Sequence, residues 1–152
     1  MESFHYGAAT LSVGQALAIA SGQAKAILDK DTIARINASQ KNVQEIVDAG
    51  RTVYGVNTGF GILANTPISA ADTATLQYKI LQSHSVGVGD PIPVEVAKLM
   101  LITKVHALAK GYSGVQLATI ERITWHIDND VIPVVPEKGS VGASGAGDSG
   151  ER

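Results

Sequence analysis

The chain contains no cysteine, which excludes disulfide bonds and thiolate metal sites. Charged residues make up only 17% of the 152 residues, and the formal net charge at pH 7 is -2. A charge this small and slightly negative gives no reason to expect a nucleic acid or an anionic membrane as a partner. The N-terminus lacks a basic region followed by an apolar core, so the sequence predicts no secretion signal. We therefore expect a cytoplasmic protein.

Long hydrophobic runs are also missing, although hydrophobic residues make up an ordinary 45% of the chain. The most apolar stretch, around Val94–Ala109, is interrupted by charged residues such as Glu95 and Lys98 and is too short to span a bilayer. None of the four histidines stands four residues from another, so the sequence predicts no helical zinc pair and no metal site.

Hydrophobic periodicity predicts a mainly α-helical domain with short extended segments and a glycine-rich C-terminal loop. The predicted helices run from the Ser12/Gln15 capping box to about Leu28, from an Asp31 cap to Gly50, from Ser69 or Ala70 to Leu81 or Ser83, from Pro93 to Gly111, and from a Ser113 cap to about Asp128. Extended segments are expected at 51–56 and 131–135, and loops at 57–61 and 87–91.

The fourth of these helices is apolar around most of its circumference. Such a helix is expected to be buried on nearly all sides. Three sources are open for the protein that covers this helix: the other helices, further sequence or a neighbouring subunit. Among the histidines, His106 and His126 stand between apolar neighbours and are expected to be structural, whereas His5 is expected to be exposed.

The end of the chain is rich in glycine, and we place a boundary between a helical domain at 1–138 and a glycine-rich segment at 139–152. Gly139–Gly145 lacks the Gly-Lys-Ser/Thr ending of a P-loop, and it does not follow the first strand of a βαβ unit. Composition alone favours a flexible tail, with a phosphate-binding loop in a small binding module as another possibility.

The order Ala143-Ser144-Gly145 permits one unusual reaction. If the Gly145 nitrogen reaches the Ala143 carbonyl carbon, the backbone closes a ring with loss of water. Loss of the Ser144 hydroxyl then leaves an exocyclic methylidene. The product is an electrophile that no ordinary side chain supplies, although the spacing alone does not establish that it forms.

Three blocks of the sequence resemble the histidine and aromatic amino acid ammonia-lyases. Gly139–Gly145 resembles the prosthetic-group segment of that family, Tyr54–Gly61 resembles its N-terminal loop, and Ser83–Gly89 resembles its substrate-side loop. The resemblance covers nearly the whole chain up to Gly145, after which Ala146–Ser149 departs from the family's Asp-Leu-Ala-Pro. Because family members run to several hundred residues, the chain looks like the N-terminal part of one.

The resemblance implies that Ala143, Ser144 and Gly145 form a methylidene-imidazolone autocatalytically, with no external cofactor. It further implies that Tyr54 is the base that removes the substrate's β-proton and that His84 contacts the substrate's ring. The substrate's amino group would add to the methylidene, or, in a competing mechanism, its aromatic ring would do so. An ordinary tyrosine phenol is protonated at neutral pH, so this base would need a nearby cation or the prosthetic group itself.

The activity that the resemblance implies is the elimination of ammonia from L-histidine to give urocanate, in histidine catabolism, by a cytoplasmic homotetramer. A tyrosine ammonia-lyase or aminomutase is the alternative within the family, because a histidine at position 84 suits an imidazole or a phenol. The contrasting hypothesis is an inactive fragment. Ring closure needs a strained backbone enforced by surrounding structure, so we expect this short chain alone to keep Ala143-Ser144-Gly145 uncyclised.

Overall fold

The computed structural model describes residues 3–54, 56–58, 68 and 70–139 and confirms the mainly helical fold. Five helices account for most of the described residues, and the strands are two to four residues long. The elements are β1 Phe4–His5, α1 Val13–Ala20, β2 Ala26–Ile27, α2 Lys30–Asp48, α3 Ala70–His84, β3 Val88–Pro91, α4 Val94–Leu108, α5 Leu117–Asp128 and β4 Pro136–Lys138.

The chain forms two compact units. The first consists of Met1–Val43 and Pro93–Pro133, and the second consists of Gln44–Ile92 and Val134–Arg152. The first unit therefore holds α1, most of α2, α4 and α5, whereas the second holds α3 and the β3–β4 pair. The boundary proposed after residue 138 stays a prediction, because the residues beyond Gly139 lie outside the part of the chain that the structure describes.

The core of the first unit forms where α4 packs against both α1 and α5. Ile102, Val105 and Ile120 are completely buried there. Burying an aliphatic side chain of this size contributes about 1.5–3 kcal/mol relative to leaving it exposed. The N-terminal residues join this core because β1 pairs in parallel with β2, and Phe4 lies opposite Ala26.

Helix α1 confirms the predicted capping box but is shorter than predicted. The Ser12 hydroxyl accepts from the Gln15 backbone N–H, and the Gln15 side chain accepts from the Ser12 N–H. The helix ends at Ala20 rather than near Leu28, because Gly22 takes a left-handed φ of +74°. The remaining alanine-rich stretch instead supplies strand β2, whose pairing with β1 outweighs its helix propensity.

Helix α2 is capped by Asp29, so the predicted Asp31 cap is wrong by two residues. The Asp29 carboxylate accepts from the Thr32 backbone N–H at 2.7 Å and is 2.8 Å from the His5 Nδ1 atom. The Thr32 bond, followed by the His5 contact, lowers the pKa of Asp29 to about 2. His5 is exposed as expected. At the other end, α2 stops at Asp48 and Gly50 has a φ of +69°, as predicted.

Helix α5 begins at Leu117, and the predicted cap at Ser113 is wrong. Gly114 has a φ of +65°, which a helix does not accommodate, and its N–H donates to the Ser39 hydroxyl at 3.0 Å. This bond ties the α4–α5 connection to α2 within the first unit. Tertiary contact therefore delays the helix start.

Helix α4 is covered on only one side by the described residues. Ala97, Ile102 and Val105 are buried, whereas Val94 and Val96 are 61% and 44% exposed. The five helices therefore do not supply the all-round burial that the sequence predicts. Its start after Pro93 agrees with the prediction.

Gly7 lies against the C-terminal end of α4, and we predict that this contact tolerates no side chain. Gly7 has a φ of +78°, and a Cβ atom there would lie 2.4 Å from the Ala109 carbonyl oxygen. We expect Gly7→Ala to lower the free energy of unfolding by about 3 kcal/mol, from backbone strain and overpacking together. Gly22 has a similar φ of +74° but open space around it, so Gly22→Ala should cost only about 1 kcal/mol. Urea unfolding of both variants measures the difference, and equal losses would contradict the argument.

Candidate active site

Tyr54 lies on a turn, and the Asn57 side chain forms two hydrogen bonds with the backbone just before it. The Asn57 carboxamide oxygen accepts from the Val53 N–H at 2.7 Å, and its nitrogen donates to the Arg51 carbonyl at 2.9 Å. The backbone N–H groups of Val56 and Asn57 donate to the Val53 carbonyl at 3.1 and 3.2 Å. The extended segment predicted at 51–56 is therefore wrong, because a side chain and a turn satisfy the backbone polar groups that a sheet would otherwise pair.

The Tyr54 side chain is 62% exposed. The structure thus presents it on the surface of the turn. An exposed phenol on a backbone held by side-chain hydrogen bonds can meet a substrate without a large rearrangement. The geometry is therefore compatible with a catalytic role for Tyr54, which stays a prediction.

His84 is the last residue of α3, the helix predicted to end at Leu81 or Ser83. The helix terminates where Ser85 bonds back to Leu81, through its backbone N–H at 3.0 Å and its hydroxyl at 2.6 Å. The chain then enters β3. The His84 side chain lies outside the described part of the structure, so its predicted contact with a substrate ring stays a prediction.

Strand β3, which begins within the resembling block Ser83–Gly89, pairs with β4, the strand directly before Gly139. The strands are antiparallel, with Val88 opposite Lys138 and Pro91 opposite Pro136. Gly87–Pro91, predicted as a turn or loop, is therefore mostly strand. The reason is a partner far away in sequence: the Ile92 N–H also donates to the Val135 carbonyl at 2.9 Å. This pairing extends to Lys138, next to the glycine-rich segment.

The residues predicted to form the prosthetic group, Ala143, Ser144 and Gly145, lie outside the described residues. Gly139 is the last residue that the structure describes, directly after β4. Tyr54, the end of α3 and the β3–β4 pair all belong to the second unit. The described residues of all three resembling blocks thus lie in one compact unit.

His106 has a structural role, as predicted. Its Nδ1 atom accepts a hydrogen bond from the Gly7 backbone N–H at 3.3 Å, and its ring centroid is 5.7 Å from that of Phe4. Burial, followed by the charge of Lys110, lowers the pKa of His106 and favours the neutral ring. His126 is likewise bonded within its own unit, with Nδ1 2.8 Å from the Val131 carbonyl oxygen.

Metal-binding residues do not cluster in the described ranges, 3–54, 56–58, 68 and 70–139, where no group of three histidine, aspartate or glutamate side chains is suitable for an ion. Over the same residues, no helix is both long and apolar enough to cross a membrane.

Sequence reasoning missed the hydrogen bonds of Asn57 next to Tyr54 and the close approach of Gly87 and Gly89 to β4. An asparagine three residues after the tyrosine, in a glycine-containing loop, is a typical signal of a side chain that bonds its own backbone. No local signal reveals that Gly87 and Gly89 face another strand, because that strand comes from the far end of the chain.

Comparison with known proteins places these features in a family. Residues 11–147 match a family model described as aromatic amino acid lyase. The chain is 47% identical to the histidine ammonia-lyase of Vibrio cholerae serotype O1 over 118 residues, which are 78% of this chain and 23% of that protein. The chain therefore spans about a quarter of that relative's length.

Solved structures give the same result. The histidine ammonia-lyase of Trypanosoma cruzi matches with a TM-score of 0.79 and 31% identity, over 95% of this chain and 28% of that one. Tyrosine aminomutase from Streptomyces globisporus matches with a TM-score of 0.84 and 27% identity, over 93% of this chain and 27% of that one. These likenesses confirm the predicted ammonia-lyase-like fold.

Proposed function

The chain belongs to the aromatic amino acid lyase family, and from this premise we propose that it is the N-terminal part of a histidine ammonia-lyase. The complete protein would eliminate ammonia from L-histidine and release urocanate. The observation that carries the proposal is the second unit, in which an exposed Tyr54, the end of α3 at His84 and the strand leading into Gly139 occur together.

The residues of this unit fit a methylidene-imidazolone. Strand β4 is paired as far as Lys138, and four residues, 139–142, separate Lys138 from the tripeptide that begins at Ala143. Alanine and glycine are small enough for ring closure, and Ser144 carries the hydroxyl that must leave. When formed, the group supplies an electrophile that makes the substrate's amino group a better leaving group.

The other two residues act on the substrate in this proposal. Tyr54 takes the β-proton, the electrons of that C–H bond become the new double bond, and the C–N bond breaks to release ammonia. His84 contacts the imidazole and orients the β-carbon towards Tyr54. The Asn57 hydrogen bonds support this role for Tyr54, because a base must be held within reach of its proton.

We also propose that the complete protein is a cytoplasmic homotetramer. The incomplete cover of α4 supports an association of this kind. Val94, Val96 and Met100 are exposed along this helix, and large exposed apolar residues in one helix are typical of surfaces that further protein covers.

Tyrosine is the second candidate substrate. It is favoured by the structural likeness to a tyrosine aminomutase and by His84, since a histidine there suits a phenol as well as an imidazole. The side chains that would discriminate between the two substrates are expected beyond residue 152.

A chimeric enzyme tests the proposal: residues 1–145 of this chain followed by the remainder of the Vibrio cholerae relative after its corresponding segment. We expect urocanate absorbance to rise with L-histidine, because residues 1–145 would then supply a working part of an ammonia-lyase site. A folded chimera that forms no product from L-histidine would contradict the proposal. As a control, the 152-residue chain by itself should show no turnover, and its intact mass should show no loss of water from Ala143-Ser144-Gly145.

A further inference from the structure

Asn57 forms hydrogen bonds with three backbone groups that precede Tyr54. Its carboxamide oxygen accepts from the Val53 N–H at 2.7 Å, and its carboxamide nitrogen donates to the Arg51 carbonyl at 2.9 Å. The backbone N–H of Asn57 donates to the Val53 carbonyl at 3.2 Å. Because that carbonyl belongs to the planar peptide group that contains the Tyr54 nitrogen, these bonds set the direction in which the chain enters Tyr54.

Asn57 is itself fixed by the residues that follow it. Thr58, the next residue, is completely buried. The Asn57 carbonyl accepts from the Ile68 N–H at 3.0 Å, and helix α3 begins two residues later. Asn57 therefore connects the turn that carries Tyr54 to the chain that leads into α3, the helix that ends at His84.

The side chain at position 57 has to donate and accept at once. A carboxamide has an oxygen that accepts and a nitrogen that donates, whereas a carboxylate only accepts. Aspartate would keep the bond to the Val53 N–H but would direct its second oxygen at the Arg51 carbonyl oxygen, which repels it. Alanine would lose both side-chain bonds.

The Tyr54 side chain depends on this support because it is 62% exposed. A buried ring is held by the atoms packed around it, whereas the direction of an exposed ring follows mainly from its rotamer and from the backbone that carries it. A displacement of about 1 Å in an active site can lower a rate by about 10²-fold. Small movements of the turn would therefore affect a reaction in which the phenol takes part.

We propose that Asn57 is a positioning residue: its two side-chain hydrogen bonds hold the turn so that the Tyr54 phenol stays within reach of the substrate's β-proton. This inference rests on the proposed function, in which Tyr54 is the base. A residue in this role does not touch the substrate. It should therefore affect the reaction through Tyr54 and leave substrate binding unchanged.

The first test measures the turn in the 152-residue chain, by amide hydrogen exchange at Val53, whose N–H donates to the Asn57 oxygen. We expect Asn57→Ala to speed this exchange at least about tenfold, and Asn57→Asp to speed it less because it keeps the acceptor. Exchange at Ile92, whose hydrogen bond lies elsewhere in the second unit, should not change in either variant. Parental exchange at Val53 in Asn57→Ala would overturn the inference, as would an equal acceleration at Ile92, which would mean general unfolding.

The second test measures kcat of the chimeric enzyme for L-histidine. Asn57→Ala should lower kcat by about 10–10²-fold with little change in KM, because the turn, and not the bound substrate, loses its hydrogen bonds. Its intact mass should still be lower by two waters. The matched control is Asn129→Ala, which removes a carboxamide bonded to the Trp125 carbonyl in the first unit and should keep the parental kcat.

A double-mutant cycle separates the positioning of Tyr54 from a general structural role. If Asn57 acts through the phenol, then adding Asn57→Ala to Tyr54→Phe should lower kcat further by less than about twofold, because the group that Asn57 positions is already absent. Losses that multiply would overturn the inference, as would an Asn57→Ala enzyme with the parental kcat or with the full encoded mass. If the unsubstituted chimera forms no urocanate, the proposed function fails instead.

Discussion

Tyr54→Phe is expected to lower the kcat of the chimeric enzyme for L-histidine by about 10²–10⁴-fold, the usual contribution of a general base. The substitution removes one phenolic oxygen from a side chain that is 62% exposed, so little packing is lost. KM should change much less than kcat, because the phenol acts on the β-proton during the reaction rather than on the bound substrate.

Two controls make this prediction specific to the base. Tyr112 is 90% exposed in the first unit, and Tyr112→Phe should leave kcat unchanged. The intact mass of Tyr54→Phe should still be lower by two waters, which separates a lost base from a prosthetic group that never formed. A Tyr54→Phe variant with the parental kcat would exclude Tyr54 as the base.

Ser144→Ala is expected to have the larger effect and to bring lyase activity below detection. Without the Ser144 hydroxyl there is no leaving group for the second dehydration, so no methylidene can form and the substrate's amino group stays a poor leaving group. The absorbance and the mass change of the methylidene should both disappear.

Ser140→Ala provides the matched comparison, since it removes a hydroxyl from the same glycine-rich segment four residues earlier. We expect it to keep the mass change and most of the activity. Equal activity in the Ser144→Ala variant and the parent would show that the electrophile does not come from this serine.

The features of the fold that follow from local sequence were predictable. The Ser12/Gln15 capping box, the stop of α2 before Gly50 and the start of α4 after Pro93 each depend on residues a few positions apart. In contrast, the formation of β2 and the start of α5 depend on partners elsewhere in the chain. The end of the alanine-rich stretch forms β2 because it pairs with β1, and the Gly114 N–H donates a hydrogen bond to the Ser39 hydroxyl.

The candidate site divides in the same way. The three blocks were recognisable as motifs, because their glycines and the Tyr54, His84 and Ser144 side chains are written in the sequence. The contacts that hold two of these motifs in place were not predictable. They are the hydrogen bond of the Asn57 carboxamide to its own loop and the pairing of β3 with β4, two strands far apart in the sequence. Contacts of this kind can be identified only from a structure that contains both partners.

The most direct test of the account is the intact mass of the unsubstituted chimeric enzyme. Our proposal predicts a protein lighter than its encoded sequence by two waters, with the change located by peptide mapping to Ala143-Ser144-Gly145. A protein with the full encoded mass, folded and complete, would contradict the claim that this chain supplies the electrophile of an ammonia-lyase.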